Sequence, residues 1–118
     1  MTRAALYEWV STDVQVEKYG LGAQDWALTK RAKDKDYHLI LDGDREAFVD
    51  DGYSGGNLDR PALARFRHAI SEGAVDVVLC YEPDRLSRSL SDLLLLGDEV
   101  QRTRVRLEFV TQETDASL

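Results

Sequence analysis

Val75-Asp76-Val77-Val78-Leu79-Cys80-Tyr81 runs, one residue on, into Pro83-Asp84-Arg85-Leu86-Ser87-Arg88. The first stretch is nearly continuously apolar, which suits a central parallel strand covered on both faces. The second turns polar at once and carries two guanidinium groups three residues apart, a spacing that one turn of helix aims the same way. Open parallel sheets place their chemistry beyond the carboxyl ends of the strands. The junction of these two stretches is therefore the first place to look for a site.

Working outward, a helix is expected over Leu90 to Arg102, with Leu90, Leu93, Leu94 and Gly97 on one face and Leu95 and Leu96 partly outside it. A strand follows, Val105 to Val110. Upstream, Asp59 stands where it could cap a helix with Pro61 just inside its start, Leu63, Phe66 and Ile70 as its buried stripe, and Gly73 at its end. Before it, Asp50-Asp51-Gly52-Tyr53-Ser54-Gly55-Gly56-Asn57 reads as a loop, mobile and near the site. A short strand, Leu39-Ile40-Leu41, ends at the turn Asp42-Gly43-Asp44. A helix is expected from about Tyr19-Gly20-Leu21-Gly22 to Lys35, with Leu21, Leu28 and Ala32 as its apolar face, and a buried strand from Ala4 to Ser11. This alternation predicts an α/β fold: an open, mostly parallel sheet of four to five strands, with right-handed crossovers and helices on both faces.

The length of 118 residues suits one domain, and 43% apolar with 31% charged residues argues against disorder. No run approaches the roughly 18 to 20 apolar residues that cross a bilayer, and Met1 to Tyr7 lacks the apolar run of a signal peptide. Cys80 is the only cysteine, so no internal disulfide forms and a reducing cytoplasm is the expected compartment. The net charge of −7 opposes DNA binding, which depends on neutralising phosphates. By composition alone, the chain reads as an acidic domain that never meets nucleic acid. The placement of its arginines says otherwise.

Ser11 ends the first strand, Arg85 and Arg88 follow the third, and Asp59-Arg60 opens a helix on the same side of the sheet. A guanidinium matches phosphate with two parallel hydrogen bonds. Three arginines around one serine suggest phosphoryl transfer by positioning and charge stabilisation. Neither His38 nor His68 is placed to complete a Ser-His-Asp triad. No nucleotide is expected, because the glycines at Gly52, Gly55 and Gly56 lack a following Lys-Ser or Lys-Thr. No metal or other cofactor is expected, because the acids at Asp42, Asp44, Asp50 and Asp51 look like turn residues. Cys80 reads as a small core residue. By position, Asp84 reads as a helix cap.

Tyr7-x-x-Val10-Ser11-Thr12-x-x-Gln15, then Asp50-Asp51-Gly52-Tyr53-Ser54-Gly55 with Leu58-Asp59-Arg60-Pro61-Ala62-Leu63, then Asp84-Arg85-Leu86-Ser87-Arg88 resemble, in order and spacing, three motifs of the serine site-specific recombinases. That family comprises the resolvases, invertases and large serine integrases. Glu17-Lys18-Tyr19-Gly20-Leu21 and Gln24 are most similar to the integrase branch. The resemblance implies a resolvase-like catalytic domain that cleaves and rejoins double-stranded DNA through a transient phosphoserine link between Ser11 and a DNA 5′ end. It implies that Arg60, Arg85 and Arg88 bind the scissile phosphate and that Asp84 orients arginine or assists proton transfer. Tyr7, Gln15, Gln24 and Asp59 would support the pocket. Family members continue into a long dimerisation helix and DNA-binding domains, so residues 1–118 are expected to bind DNA weakly, with dimers and tetramers a property of the longer protein.

The family's opening motif usually reads Tyr-x-Arg-Val-Ser with an active-site arginine, and here that position is Trp9. If position 9 lies in the phosphate pocket, Trp9 slows the reaction severely and Trp9→Arg restores it. If the indole fills the core, that substitution buries a charge and destabilises the fold. Asp36 and Arg104 stand at helix-to-strand turns where glycine would relieve a left-handed backbone. Two other classes compete: a non-catalytic interaction module using the Leu93 to Leu96 surface, and an unrelated small-molecule phosphotransfer enzyme.

Overall fold

The computed structural model describes residues 1–12 and 20–111. Along these the order is β1 (Arg3–Val10), α1 (Leu21–Asp34), β2 (His38–Leu39), β3 (Phe48–Asp51), α2 (Pro61–Ser71), β4 (Val77–Cys80), a 3-10 turn Pro83–Arg85, α3 (Leu90–Arg102) and β5 (Arg106–Phe109). Every strand pairing is parallel, so the expected α/β class is the one observed.

β1 is the centre of the sheet, and Ala4 to Val10 are all buried. Its two edges follow from which residues bond where. Even-numbered residues face one side: Thr2 O and Ala4 O accept from β2-side residues His38 and Ile40, and Val10 O accepts from Gly52 just beyond β3. Odd-numbered Arg3 faces the other side, where its carbonyl accepts from Asp76 N beside β4. β2 and β3 therefore lie end to end on one edge of β1, and β4 followed by β5 lies on the other. The chain leaves β1 in one direction and later crosses back past it. The carboxyl ends of β1 and β4 thus flank a topological switch point, the usual position of a ligand crevice.

The strand period of two separates the core into two layers. Ala5, Tyr7 and Trp9 meet Leu63, Phe66 and Ile70 of α2 and Leu96 and Val100 of α3. Ala4 and Leu6 meet Leu28 and Ala32 of α1. Helices cover both faces of the sheet.

Several local expectations are corrected. Asp50 and Asp51, read as loop, form the end of β3, because Asp50 spends its carboxylate on buried donors and so tolerates a strand. The second strand is His38–Leu39 and does not include Leu41. Asp59 does not cap α2: Arg60 is the capping residue by position, and its side chain makes no cap bond. The carboxylate of Asp50 instead accepts from Ala62 N at 2.8 Å and Leu63 N at 2.9 Å. Those are the first two amides after the donor-free Pro61, so a strand caps a helix from outside its own sequence. On α3 the buried line is Leu96 and Val100 with Leu93 against them, while Leu90, Leu94 and Leu95 are exposed.

Asp36 and Arg104 do adopt the left-handed backbone, with φ of 57° and 63°. A side chain in that region costs energy that glycine avoids. Asp36→Gly and Arg104→Gly are each expected to raise the melting temperature by about 2 to 5 °C. Thermal unfolding followed by circular dichroism checks this, and a fall on both substitutions would show that the side chains contribute more than the strain removes.

Candidate active site

Ser11 leaves the carboxyl end of β1, and Pro83 to Ser89 leaves that of β4. The 3-10 turn Pro83–Arg85 reverses the chain, and Ser89 caps α3 by accepting from Asp92 N. Between these points Arg88 reaches back across the switch point. Its Nη1 donates to Ser11 Oγ at 3.4 Å, a long hydrogen bond that joins two residues 77 positions apart. Ser11 is 3% exposed, while Arg88 stands on the exposed side of the pair.

Arg60 and Arg85, expected with Arg88 to bind phosphate, lie deeper than Arg88. Both are nearly fully buried, at 1% and 3% exposure. Arg60 donates from Nη1 to Tyr7 Oη at 3.1 Å and from Nη2 to Leu86 O at 2.7 Å, which ties α2 to the segment that carries Arg85 and Arg88. Tyr7 Oη in turn donates to Asp50 at 2.7 Å. Burial pushes the Tyr7 phenol well above its ordinary range; the Arg60 charge opposes this and the bond to Asp50 adds to it. The phenol therefore keeps its proton and passes the hydrogen bond along. Arg85 lies with Nε 4.0 Å from a Glu82 carboxylate oxygen. In this arrangement Arg88 faces Ser11 directly, and Arg60 braces it from beneath.

Trp9 is fully buried, and Ser11 and Arg60 close by are buried as well. The Arg60 guanidinium sits 4.3 Å from its ring centroid and that of Arg88 5.3 Å. Its Nε1–H donates to Tyr53 O at 2.7 Å. Trp9→Arg would bring a third guanidinium into a buried position already beside two others.

Gln24, expected to support the pocket, bonds to the main chain of β1. Its side-chain amide accepts from Trp9 N at 3.2 Å and donates to Trp9 O at 3.1 Å. Odd residues of β1 face the β4 edge, but the β1–β4 pairing ends at Leu6 and Leu79. Gln24 thus takes the place of a neighbouring strand two residues before Ser11. Asp84 is exposed in the 3-10 turn, and Asp59 is exposed beside Arg60. Gln15 lies outside the described residues. The residues that sequence reasoning missed are Asp50, whose doublet with Asp51 looked like a turn, and Tyr53, which acts through its carbonyl and leaves no side-chain signal.

Cys80 is buried in the sheet, and burial pushes its thiol above the ordinary range against the charge of Arg60. Among the described residues, no three His, Cys, Asp or Glu side chains group as metal ligands, and no helix is long and apolar enough to cross a membrane. One further carboxyl stands out. Glu8 is 2% exposed on the α1 face, and its Oε2 has no hydrogen-bond partner among the described residues. Burial, then a hydrogen bond with Asp25 and that residue's charge, push it up to about 9. Taken together, the site sets a serine hydroxyl beside the Arg88 guanidinium, with the buried Arg60 close by, an arrangement suited to charge stabilisation at a phosphoryl centre.

The family described as resolvase, N terminal domain, matches residues 4–117. A putative DNA recombinase of Bacillus subtilis (strain 168) is 40% identical over 110 residues, covering 92% of this chain. The chain spans 20% of that relative's length. The N-terminal catalytic domain of TP901-1 integrase is 32% identical with a TM-score of 0.81, covering 98% of this chain and 82% of that one. A resolvase family site-specific recombinase from Streptococcus pneumoniae is 28% identical with a TM-score of 0.79, covering 99% and 77%.

Two outcomes follow from the buried groups. Asp50→Ala leaves the Tyr7 hydroxyl and two helix amides without their acceptor, and is expected to cost about 3 to 5 kcal/mol in urea denaturation. That is a large share of the roughly 5 to 15 kcal/mol that holds a domain together. Glu8 has a folded pKa raised from 4.5 to about 9, so its contribution to stability is complete below pH 4.5 and is lost as pH rises toward 9. Glu8→Gln should therefore match the parent near pH 4 and melt progressively higher than it from pH 6 to 9. Parallel curves across that range would show that Glu8 ionises freely in the fold.

Proposed function

This chain belongs to the resolvase N-terminal domain family of serine recombinases, and from that membership we propose that it cleaves and rejoins DNA strands in site-specific recombination, with Ser11 as the nucleophile. The observation that carries the reading is the approach of Arg88 Nη1 to Ser11 Oγ, at 3.4 Å, at the switch point of the sheet. The Ser11 oxygen attacks a backbone phosphorus, the bond from phosphorus to the 3′ oxygen breaks, and the 3′ hydroxyl leaves with a proton. The DNA 5′ end stays on Ser11 as a phosphoserine ester. One phosphodiester replaces another, so the reverse attack rejoins strands after the subunits rotate, without a nucleotide.

The roles divide by exposure. Arg88 is the guanidinium that meets the phosphate first and favours loss of the serine proton. Arg60 and Arg85 add positive charge from a buried, weakly screened position. Asp84, on the exposed side of the turn, orients arginine or relays the proton. Gln24 and Tyr7 hold the ends of this frame, with Asp59 beside Arg60 at its rim, and Gln15 is assigned to the pocket by its motif position. No metal takes part in this scheme. The partners are double-stranded DNA, held weakly by residues 1–118, and further copies of the chain, as dimer and tetramer, in a longer protein. A second reading, an interaction module without cleavage, is favoured by the exposed Leu90, Leu94 and Leu95 of α3.

The deciding measurement is covalent adduct formation on a nicked suicide DNA substrate by a longer protein that carries residues 1–118. Ser11→Ala is expected to abolish the adduct, and Arg88→Ala to slow it by about 10²- to 10³-fold, the usual effect of losing one preorganised donor. An adduct that survives Ser11→Ala would remove the serine from the chemistry, and no adduct from the parent would favour the interaction module.

A further inference from the structure

We propose that Trp9 is a positioning residue that seats Arg88 against Ser11, and that Gly55 is the position whose missing side chain makes room for it. This rests on the reading of Ser11 and Arg88 as the reacting pair, and it adds two residues that act through them.

The indole is fixed at both ends. Gln24 clamps its backbone N–H and C=O, and its own Nε1–H holds Tyr53 O. A flat ring held in this way cannot swing, so a guanidinium lying 5.3 Å from its centroid is placed as well as attracted. The other guanidinium, Arg60 at 4.3 Å, meets the same ring. Two cations sharing one electron-rich ring repel each other less than they would across bare hydrocarbon. Without the indole, Arg60 would bias Arg88 away from Ser11.

Gly55 completes the arrangement. A Cβ there would lie 2.7 Å from Trp9 Cη2, 3.0 Å from Cζ2 and 3.5 Å from Arg88 Cδ. The first distance is a clash, and the atom that would have to yield belongs to a fully buried ring anchored at two points. The segment from Tyr53 to Gly55 therefore presses on the outer edge of the indole, and the stem of Arg88 packs beside the same glycine. The large side chain at position 9 and the absent one at position 55 fit each other, and Arg88 rests on the pair.

The test uses the 118-residue chain with labelled arginine and no DNA. Hydrogen exchange of the Arg88 Nε–H is read by NMR against that of the exposed Arg102, with a melting curve for every variant. In Trp9→Leu the Arg88 exchange should rise about fivefold, the size expected from losing one cation–ring contact. Trp9→Phe, which keeps an aromatic face, should recover most of the protection. Gly55→Ala should also speed exchange, but not when combined with Trp9→Phe, because phenylalanine ends short of the crowded atoms. If Trp9→Leu does not fold, the two Gly55→Ala comparisons decide the matter alone. Unchanged Arg88 exchange in Gly55→Ala, an equal effect of that substitution in both backgrounds, or a Trp9→Phe that behaves like Trp9→Leu would each overturn the proposal. Because no DNA is present, this result and the adduct experiment can fail independently.

Discussion

The carboxylate of Asp50 joins three elements at one point. It accepts from Tyr7 of β1 and from two amides at the start of α2, while its own backbone belongs to β3. A carboxyl group removed from water is tolerated only when its hydrogen-bonding capacity is met, and here three donors meet it. The chain of bonds continues from Tyr7 through Arg60 to the carbonyl of Leu86. One buried acid thereby fixes the position of α2 against the sheet and of the segment that delivers Arg88. The active-site geometry is a consequence of how this acid is satisfied.

The same chain of bonds explains how an acidic protein offers a cationic site. A net charge of −7 describes the whole sequence, but Arg60 and Arg85 are buried beneath the crevice, where water screens them little. Burial of Arg60 is costly and is offset by Tyr7 Oη and Leu86 O, which accept from its two terminal nitrogens. The outer surface can then stay acidic without cancelling the local field at Ser11. Net charge speaks to solubility and non-specific association, not to the potential inside one crevice.

Much of this was legible in the sequence, and what was not has a common cause. The apolar run at Val75 to Tyr81 and the alternation of strands and helices gave the sheet, and the three motifs placed Ser11 and Arg88 at one end of it. The left-handed backbones at Asp36 and Arg104 were also readable, because they occupy positions where a helix must turn into a strand. The failures came where a side chain does a job far from its own neighbours in sequence. Asp50 looked like a turn residue because its partners are 12, 13 and 43 positions away. Asp59 looked like a cap because local spacing favours it, yet the cap arrived from another strand. The face of α3 was misjudged since a run of four leucines fits several helical stripes, and only packing chose Leu96 over Leu94.

Trp9 shows how these levels interact. By sequence it marks a lost charge, and a lost charge suggests a repairable defect. By structure the position is inside the core cluster, held by Gln24 along its backbone and by Tyr53 at its indole nitrogen. Its surroundings match its shape, since Gly55 leaves room for the ring and Arg60 and Arg88 both lie against it. The site has been organised around an aromatic ring, and the electrostatic task at Ser11 falls to the guanidinium that the ring supports.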